Sequence, residues 1–174
     1  MRASTGKFPF AGLRTAALAL AFMAASAMGA ARAQETAQGT TQAYEDWTIG
    51  CQANQAGQQE CLMFQDIIAD GTDQSIMRVT VVKMPRPMII VTTPLGVMLV
   101  PGLAVAIDQQ EVSRMQFQIC IEPGCRSQID LPPELVQRFK SGVAATITLV
   151  GPNGQPIPIP VSLKGFTAAY DALI

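Results

Sequence analysis

Ser113-Arg-Met-Gln-Phe-Gln-Ile-Cys120 alternates apolar and polar side chains, and Ile121-Glu-Pro-Gly-Cys125 then turns the chain back. Strict alternation is the signature of a half-buried β-strand. It puts Met115, Phe117 and Ile119 on one face and Gln116 and Gln118 on the other. Pro123-Gly124 suits the central positions of a type II turn. Arg126 to Leu131 is therefore expected to return alongside as a second strand.

The same reading extends outward. Asp46–Cys51, Cys61–Ile68, Ser75–Met84 and Met88–Thr92 carry the β-branched, aromatic and alternating residues of strands. So do Val97–Val100, Leu103–Ile107, Val143–Val150 and Ile157–Leu163, with Gly and Pro marking the turns between them. Pro158 and Pro160 fall on one face of the last run, which suits an edge strand because proline donates no ladder hydrogen bond. Pro132–Gly142 is the one clear internal helix, with proline first, Glu134 in the opening turn, Arg138 and Lys140 in the last, and glycine beyond. Gly165–Ile174 reads as a terminal helix, apolar at Phe166, Tyr170, Leu173 and Ile174. Many short strands and two short helices predict a mainly β fold, an antiparallel β-sandwich or partly closed barrel.

Residues 1–33 have the form of a signal peptide. Arg2, Lys7 and Arg14 are followed by an uncharged apolar run, Thr15–Met28, and then by Ala31-Arg32-Ala33. Residues 34–43 (QETAQGTTQA) read as a flexible linker, and residues 44–174 as a single disulfide-bonded domain. The leader holds four of the 12 basic residues and none of the 13 acidic ones, so the mature chain has a net charge of −5. That balance argues against nucleic acid and anionic membrane surfaces as partners. After cleavage no integral membrane segment is expected; the expected place is the periplasm, the outer membrane or the exterior.

All four cysteines lie beyond the leader. Export favours oxidation, and four cysteines allow three pairings. The local pairs Cys51–Cys61 and Cys120–Cys125 are favoured because a turn lies within each. Each short closed loop is worth about 2–3 kcal/mol in the chain-entropy picture.

The chain contains no histidine. This removes Ser-His-Asp and Cys-His catalysis and the usual His-based zinc sites. Carboxylate groups remain: Glu45/Asp46, Asp66/Asp70/Asp73, Asp108/Glu111 and Glu122/Glu134. Most occupy expected turns and read as solvated charge, although two facing carboxylates in a cleft would suit a small hydrolase. Asp70-Gly-Thr-Asp73 lacks the spacing of a calcium loop, and Ser162-Leu-Lys164 that of a Ser-x-x-Lys pair. Six methionines follow the leader, and Met84-Pro-Arg-Pro-Met88 brings two together, which raises a thioether metal site beside the plainer reading of core filling. Trp47 is read as core. No catalytic, cofactor or metal residue is assigned. The expected function is non-enzymatic binding of an unknown protein or envelope component. The candidate surface comprises Met84, Arg86, Met88, Ile157 and Ile159, on proline-stiffened segments.

Several motifs in order resemble the invasion-associated locus B family. They are Asp46-Trp47-x-x-x-Cys51, Cys61, Thr93-Pro-Leu-Gly-Val97 through Pro101-Gly102, Ile107-Asp108, Cys120-x-x-x-Gly124-Cys125 and Val161-Ser-Leu-Lys-Gly-Phe166. The resemblance implies an exported β-rich domain, periplasmic or outer-membrane-associated, with a link to red-cell invasion in a pathogen. It supplies no catalytic motif. N-terminal sequencing of the native protein is expected to start at or near Gln34; a first residue of Met1 contradicts the leader reading.

Overall fold

The computed structural model describes residues 39–173. The expected leader, residues 34–38 and Ile174 lie outside the described residues. Eleven strands and two helices follow one another: β1 (Thr40–Tyr44), β2 (Trp47–Ala53), β3 (Gln59–Ile68), β4 (Ser75–Val82), β5 (Met88–Thr93), β6 (Leu103–Ile107), β7 (Gln110–Met115), β8 (Phe117–Ile121), β9 (Gly124–Asp130), α1 (Pro133–Ser141), β10 (Ala144–Val150), β11 (Pro156–Ser162) and α2 (Phe166–Ala172). The strands form two antiparallel sheets, and neither closes into a barrel. The larger has the order β1-β2-β3-β4-β5-β9-β8, and the smaller β11-β10-β6-β7.

Alternation drives the packing. Met77, Val79 and Val81 of β4, and Ile89 and Val91 of β5, point inward from the larger sheet. Leu103, Val105 and Ile107 of β6, with Ala145, Ile147 and Leu149 of β10, answer from the smaller. Each of the Val, Leu, Ile and Met side chains among these is worth about 1.5–3 kcal/mol when fully buried. Trp47 is fully buried, its ring edge-on to Phe166 at 5.2 Å. Phe166 also stacks with Phe139 of α1 and Tyr170 of α2, so both helices enter the same core.

Several local expectations change. Residues 40–43 are strand, not linker: they belong to β1, paired along β2 from Thr40↔Cys51 to Tyr44↔Trp47. Their side chains are polar or small, and both faces of this edge strand meet water. The Ser113–Cys120 run is two strands rather than one. Met115 ends β7 in the smaller sheet, and the chain crosses at Gln116 to begin β8 in the larger. A bulge between Phe117 and Ile119 then turns Ile119 outward, 49% exposed. Gly124 already pairs with Ile121, so the connection is Glu122-Pro123 rather than a turn centred on Pro123-Gly124. Val97–Val100 is not a strand but part of the β5–β6 loop.

Both disulfides join facing residues of paired strands, Cys51–Cys61 between β2 and β3 and Cys120–Cys125 between β8 and β9. β11 is an edge strand, as its prolines indicate. Pro156, Pro158 and Pro160 face Val150, Thr148 and Thr146, and none can donate toward β10. The intervening residues make that ladder, so the outward row of the strand has lost its donors.

Gly142 and Gly165 are among the glycines fixed by close approach. Gly142 ends α1 with φ −70°, an ordinary conformation. A Cβ there would meet Ile107 Cγ2 at 2.5 Å. Gly165 opens α2 with φ 80°, and a Cβ would fall 2.0 Å from the Tyr44 carbonyl oxygen. Gly57 has a similar φ of 76° but open space around it. Gly57→Ala is expected to cost about 1 kcal/mol through backbone strain alone. Gly165→Ala should cost at least about 1 kcal/mol more, because the backbone must also move. Urea midpoints of the two variants measure the difference; equal losses would contradict the contact.

Candidate functional site

Five residues, Lys83-Met-Pro-Arg-Pro87, connect β4 to β5, and Val82 and Met88 at their ends pair with each other. Pro85 and Pro87 fix two backbone torsions in this short span. Leu131 N–H donates to the Pro87 carbonyl at 2.9 Å, tying the connection to the entrance of α1. The connection is thus a stiff ridge, with Met84 71% exposed at its crest.

Clefts open on both sides of this ridge. Arg86 and Pro87 border one of about 430 Å³, whose floor includes Leu131, Pro132, Val136 and Tyr170. Lys140 stands at its rim, paired with Asp171 and 5.0 Å from the centre of the Tyr170 ring. Lys83 lies 5.5 Å from the same ring and donates to the Leu173 carbonyl at 2.7 Å. Tyr170 thereby joins two ammonium groups to an apolar floor. Met84 and Pro85 border a larger cleft of about 800 Å³ over Leu62, Val82 and the Cys51–Cys61 bridge, with Gln52, Asn54 and Glu60 also lining it.

The five residues expected on one surface do not all meet there. Met84 and Arg86 share the ridge, and Met88 lies half-buried at its foot. Arg86 reaches Asp130 at 3.3 Å, with both side chains more than half exposed, a geometry worth about 0–1 kcal/mol. Ile157 is 43% exposed on β11 beside Gly151, away from the ridge. Ile159 is only 4% exposed and belongs to the core opposite Ile147. The prolines mark the outward main-chain row of β11, whereas the isoleucines between them face inward to a depth set by their position along the strand.

The carboxylates serve local architecture. Asp46 accepts from Ser162 Oγ at 2.6 Å. Asp66 takes both arms of the Arg78 guanidinium at 2.6 Å, which raises the Arg78 pKa above its ordinary value against the opposing effect of burial. Asp108 accepts from the Val143 and Ala144 N–H groups, and Glu111 pairs with Arg114. Met63, Met77 and Met115 fill the core. Among the described residues, no three Cys, Asp or Glu side chains gather as metal ligands, and no helix is long and apolar enough to cross a membrane.

Comparison with known proteins agrees with this architecture. The family model described as invasion associated locus B (IalB) protein matches residues 47–174. The chain belongs to the invasion-associated locus B family. Among its relatives are two Invasion protein B homologs of Brucella abortus, from strain 2308 and from biovar 1 strain 9-941. Each is 30% identical over 157 residues, covering 88% of this chain and 86% of the relative. The crystal structure of invasion associated protein b from Bartonella henselae shares the fold, with a TM-score of 0.68 at 20% identity. That match covers 76% of this chain and 92% of the other.

Two of the segments that carried the locus B resemblance, Asp46-Trp47 and Val161–Phe166, meet at one joint. Trp47 Nε1 donates to the Ser162 carbonyl at 2.9 Å, Asp46 holds the Ser162 hydroxyl, and Gly165 presses on Tyr44. Gln65, which sequence reasoning missed, completes the joint. Its Nε2 donates to the Asp46 and Ser162 carbonyls at 3.0 and 3.2 Å, and its Oε1 accepts from Ser162 N–H at 2.9 Å. The available signal was its position: Met63, Gln65 and Ile67 share the inward face of β3, and a polar residue there needs partners. Gln65→Leu is expected to cost about 2–3 kcal/mol, since the part-buried Ser162 N–H and Asp46 carbonyl lose their partner. Urea unfolding measures it; a loss below about 0.5 kcal/mol, the range of neutral surface changes, contradicts the joint.

Proposed function

We propose that this chain is an exported, non-enzymatic envelope module that binds another protein or a surface component through the Met84–Met88 ridge. The observation that carries this reading is the ridge itself, rigid and exposed between two clefts. Arg86 and Met84 give it a cation and an apolar tip, and Pro85 and Pro87 limit the backbone entropy lost on docking. The leader pattern and two disulfides support export. The names of the Brucella and Bartonella relatives suggest invasion of host cells as the process served.

Chemistry points the same way. Without histidine, proton transfer near neutral pH needs an acid or amine with a strongly shifted pKa. Asp46, Asp66, Asp108 and Glu111 are instead committed to hydroxyl, guanidinium or backbone partners.

The test is cross-linking of the mature protein in intact envelope. Arg86→Glu and Met84→Asp should each reduce the specific cross-linked product about tenfold, as expected for a docking anchor. Both side chains are exposed, so stability should change by no more than about 1 kcal/mol, including loss of the Arg86–Asp130 pair. An unchanged cross-linking pattern in both variants overturns the ridge as the docking element.

A further inference from the structure

A second surface lies at the other end of β5. Met88 begins that strand at the ridge, and Thr93 ends it where the β5–β6 loop, Pro94–Gly102, leaves the sheet. The loop reads Pro-Leu-Gly-Val-Met-Leu-Val-Pro-Gly and contains no polar side chain. Leu95, Met98, Leu99 and Val100 are 50%, 41%, 47% and 89% exposed. Their neighbours are apolar too. Thr93 pairs with Cys125, which places the loop's start beside the β8–β9 turn and Ile121, 60% exposed. Met98 N–H donates to the Val150 carbonyl at 2.9 Å, which sets the loop's middle beside the β10–β11 turn and Ile157.

This tip is held in shape. Besides the Met98 bond, Gly102 N–H donates to the Leu99 carbonyl at 3.0 Å, and Val97 packs on the core. Gly102 has φ 66°, and a Cβ there would meet the Met115 carbonyl oxygen at 2.4 Å, so the base of the loop is seated closely. The exposed aliphatic side chains are presented by an ordered loop. Protein-binding hot spots are enriched in Tyr, Trp and Arg, which supply direction and register. The tip has none of these. It offers aliphatic surface with no hydrogen-bonding side chain, which suits shallow burial at the acyl boundary of a bilayer.

The flanking charge selects among lipids. Asp70 and Asp73 lie in the β3–β4 turn and Glu122 in the β8–β9 turn, at this same end. None of the loops here carries Lys or Arg, and Arg126, exposed on β9 beside Cys125, is outnumbered by the three carboxylates. Anionic headgroups are therefore repelled, in contrast to basic interfacial segments that seek them.

We propose that the Pro94–Gly102 tip inserts shallowly into a zwitterionic phospholipid surface. The site is separate from the Met84–Met88 ridge, and either reading stands if the other fails.

Flotation of the mature, disulfide-bonded protein with phosphatidylcholine vesicles tests it. The wild type should float with the vesicles, equally at low and high salt, and less when phosphatidylglycerol is included. Leu99→Asp/Val100→Asp should lower the bound fraction at least about tenfold, because a carboxylate is costly in hydrocarbon. Val100→Trp is the complementary variant: it should bind at least as well and shift its emission to shorter wavelength on vesicle addition. Absence of flotation by both wild type and Val100→Trp overturns the proposal. So does binding confined to anionic vesicles and abolished by salt. A dimer detected by light scattering, dispersed by the double Asp variant and without vesicle binding, would instead assign the tip to a second copy.

Discussion

The buried amide of Gln65 is the constraint around which the two sheets are arranged. It sits on β3, within the larger sheet, yet its three hydrogen bonds reach the Asp46 carbonyl and both backbone groups of Ser162 on β11. β11 edges the smaller sheet, and Ser162 is its last residue, so the ladder alone does not hold this end. A side chain from the opposite sheet supplies the missing partners, and Trp47 adds a further donor to the same carbonyl. A buried polar group costs free energy unless all its bonds are made, so this joint has one satisfactory geometry. It fixes the direction in which the chain leaves β11 and enters α2. Phe166 then falls against Trp47, and Phe139 and Tyr170 stack on Phe166. The floor of the smaller cleft depends on that placement, because Tyr170 forms part of it.

The edges of the two sheets are treated differently, and the treatment bears on association. On β11, alternate prolines remove the outward donors. On β7 a bulge and the Glu111–Arg114 pair interrupt the edge, and Arg138 of α1 reaches across to Gln110. β1 is polar, and α2 begins against its last carbonyl at Tyr44. β8 is short, bulged and tied to β9 by a disulfide. Main-chain pairing with another molecule is thus discouraged along most of the perimeter. Recognition is left to side chains at the two ends of the sandwich.

Much of this was legible because it is local. Alternation located β4, β5, β6 and β10, proline and charge placement located α1, and short spacing paired the cysteines correctly. Alternation cannot say which sheet a residue belongs to, however. Met115, Gln116 and Phe117 keep the pattern while the chain crosses from one sheet to the other. Nor does it register a bulge, and so Ile119 was expected inside with Met115. β1 was missed for the opposite reason: Thr40–Ala43 of this edge strand are wetted on both faces and carry no apolar alternation to announce it. Gly142 follows a helix in the usual place, but it is there for space against Ile107 and not for a left-handed turn. For the candidate surface, the ridge residues Met84 and Arg86 were legible from their prolines. The partners that form the clefts, Tyr170, Lys140 and Leu131, come from distant segments and needed the fold.

No charged residue occurs between Arg86 and Asp108, a length and hydropathy otherwise associated with membrane spans. Pro94, Gly96, Pro101 and Gly102 prevent a helix and divide the run into β5, a loop and β6. The strands bury alternate side chains, which consumes much of the apolar surface. The loop retains the remainder at one end, while the ridge stands at the other. β5 has six residues, so the two are separated by about 20 Å of rigid, hydrogen-bonded strand. A tip seated in a lipid surface would therefore hold the ridge and its clefts away from that surface. The same uncharged run that could not become a transmembrane helix would then set the distance at which the module meets its partner.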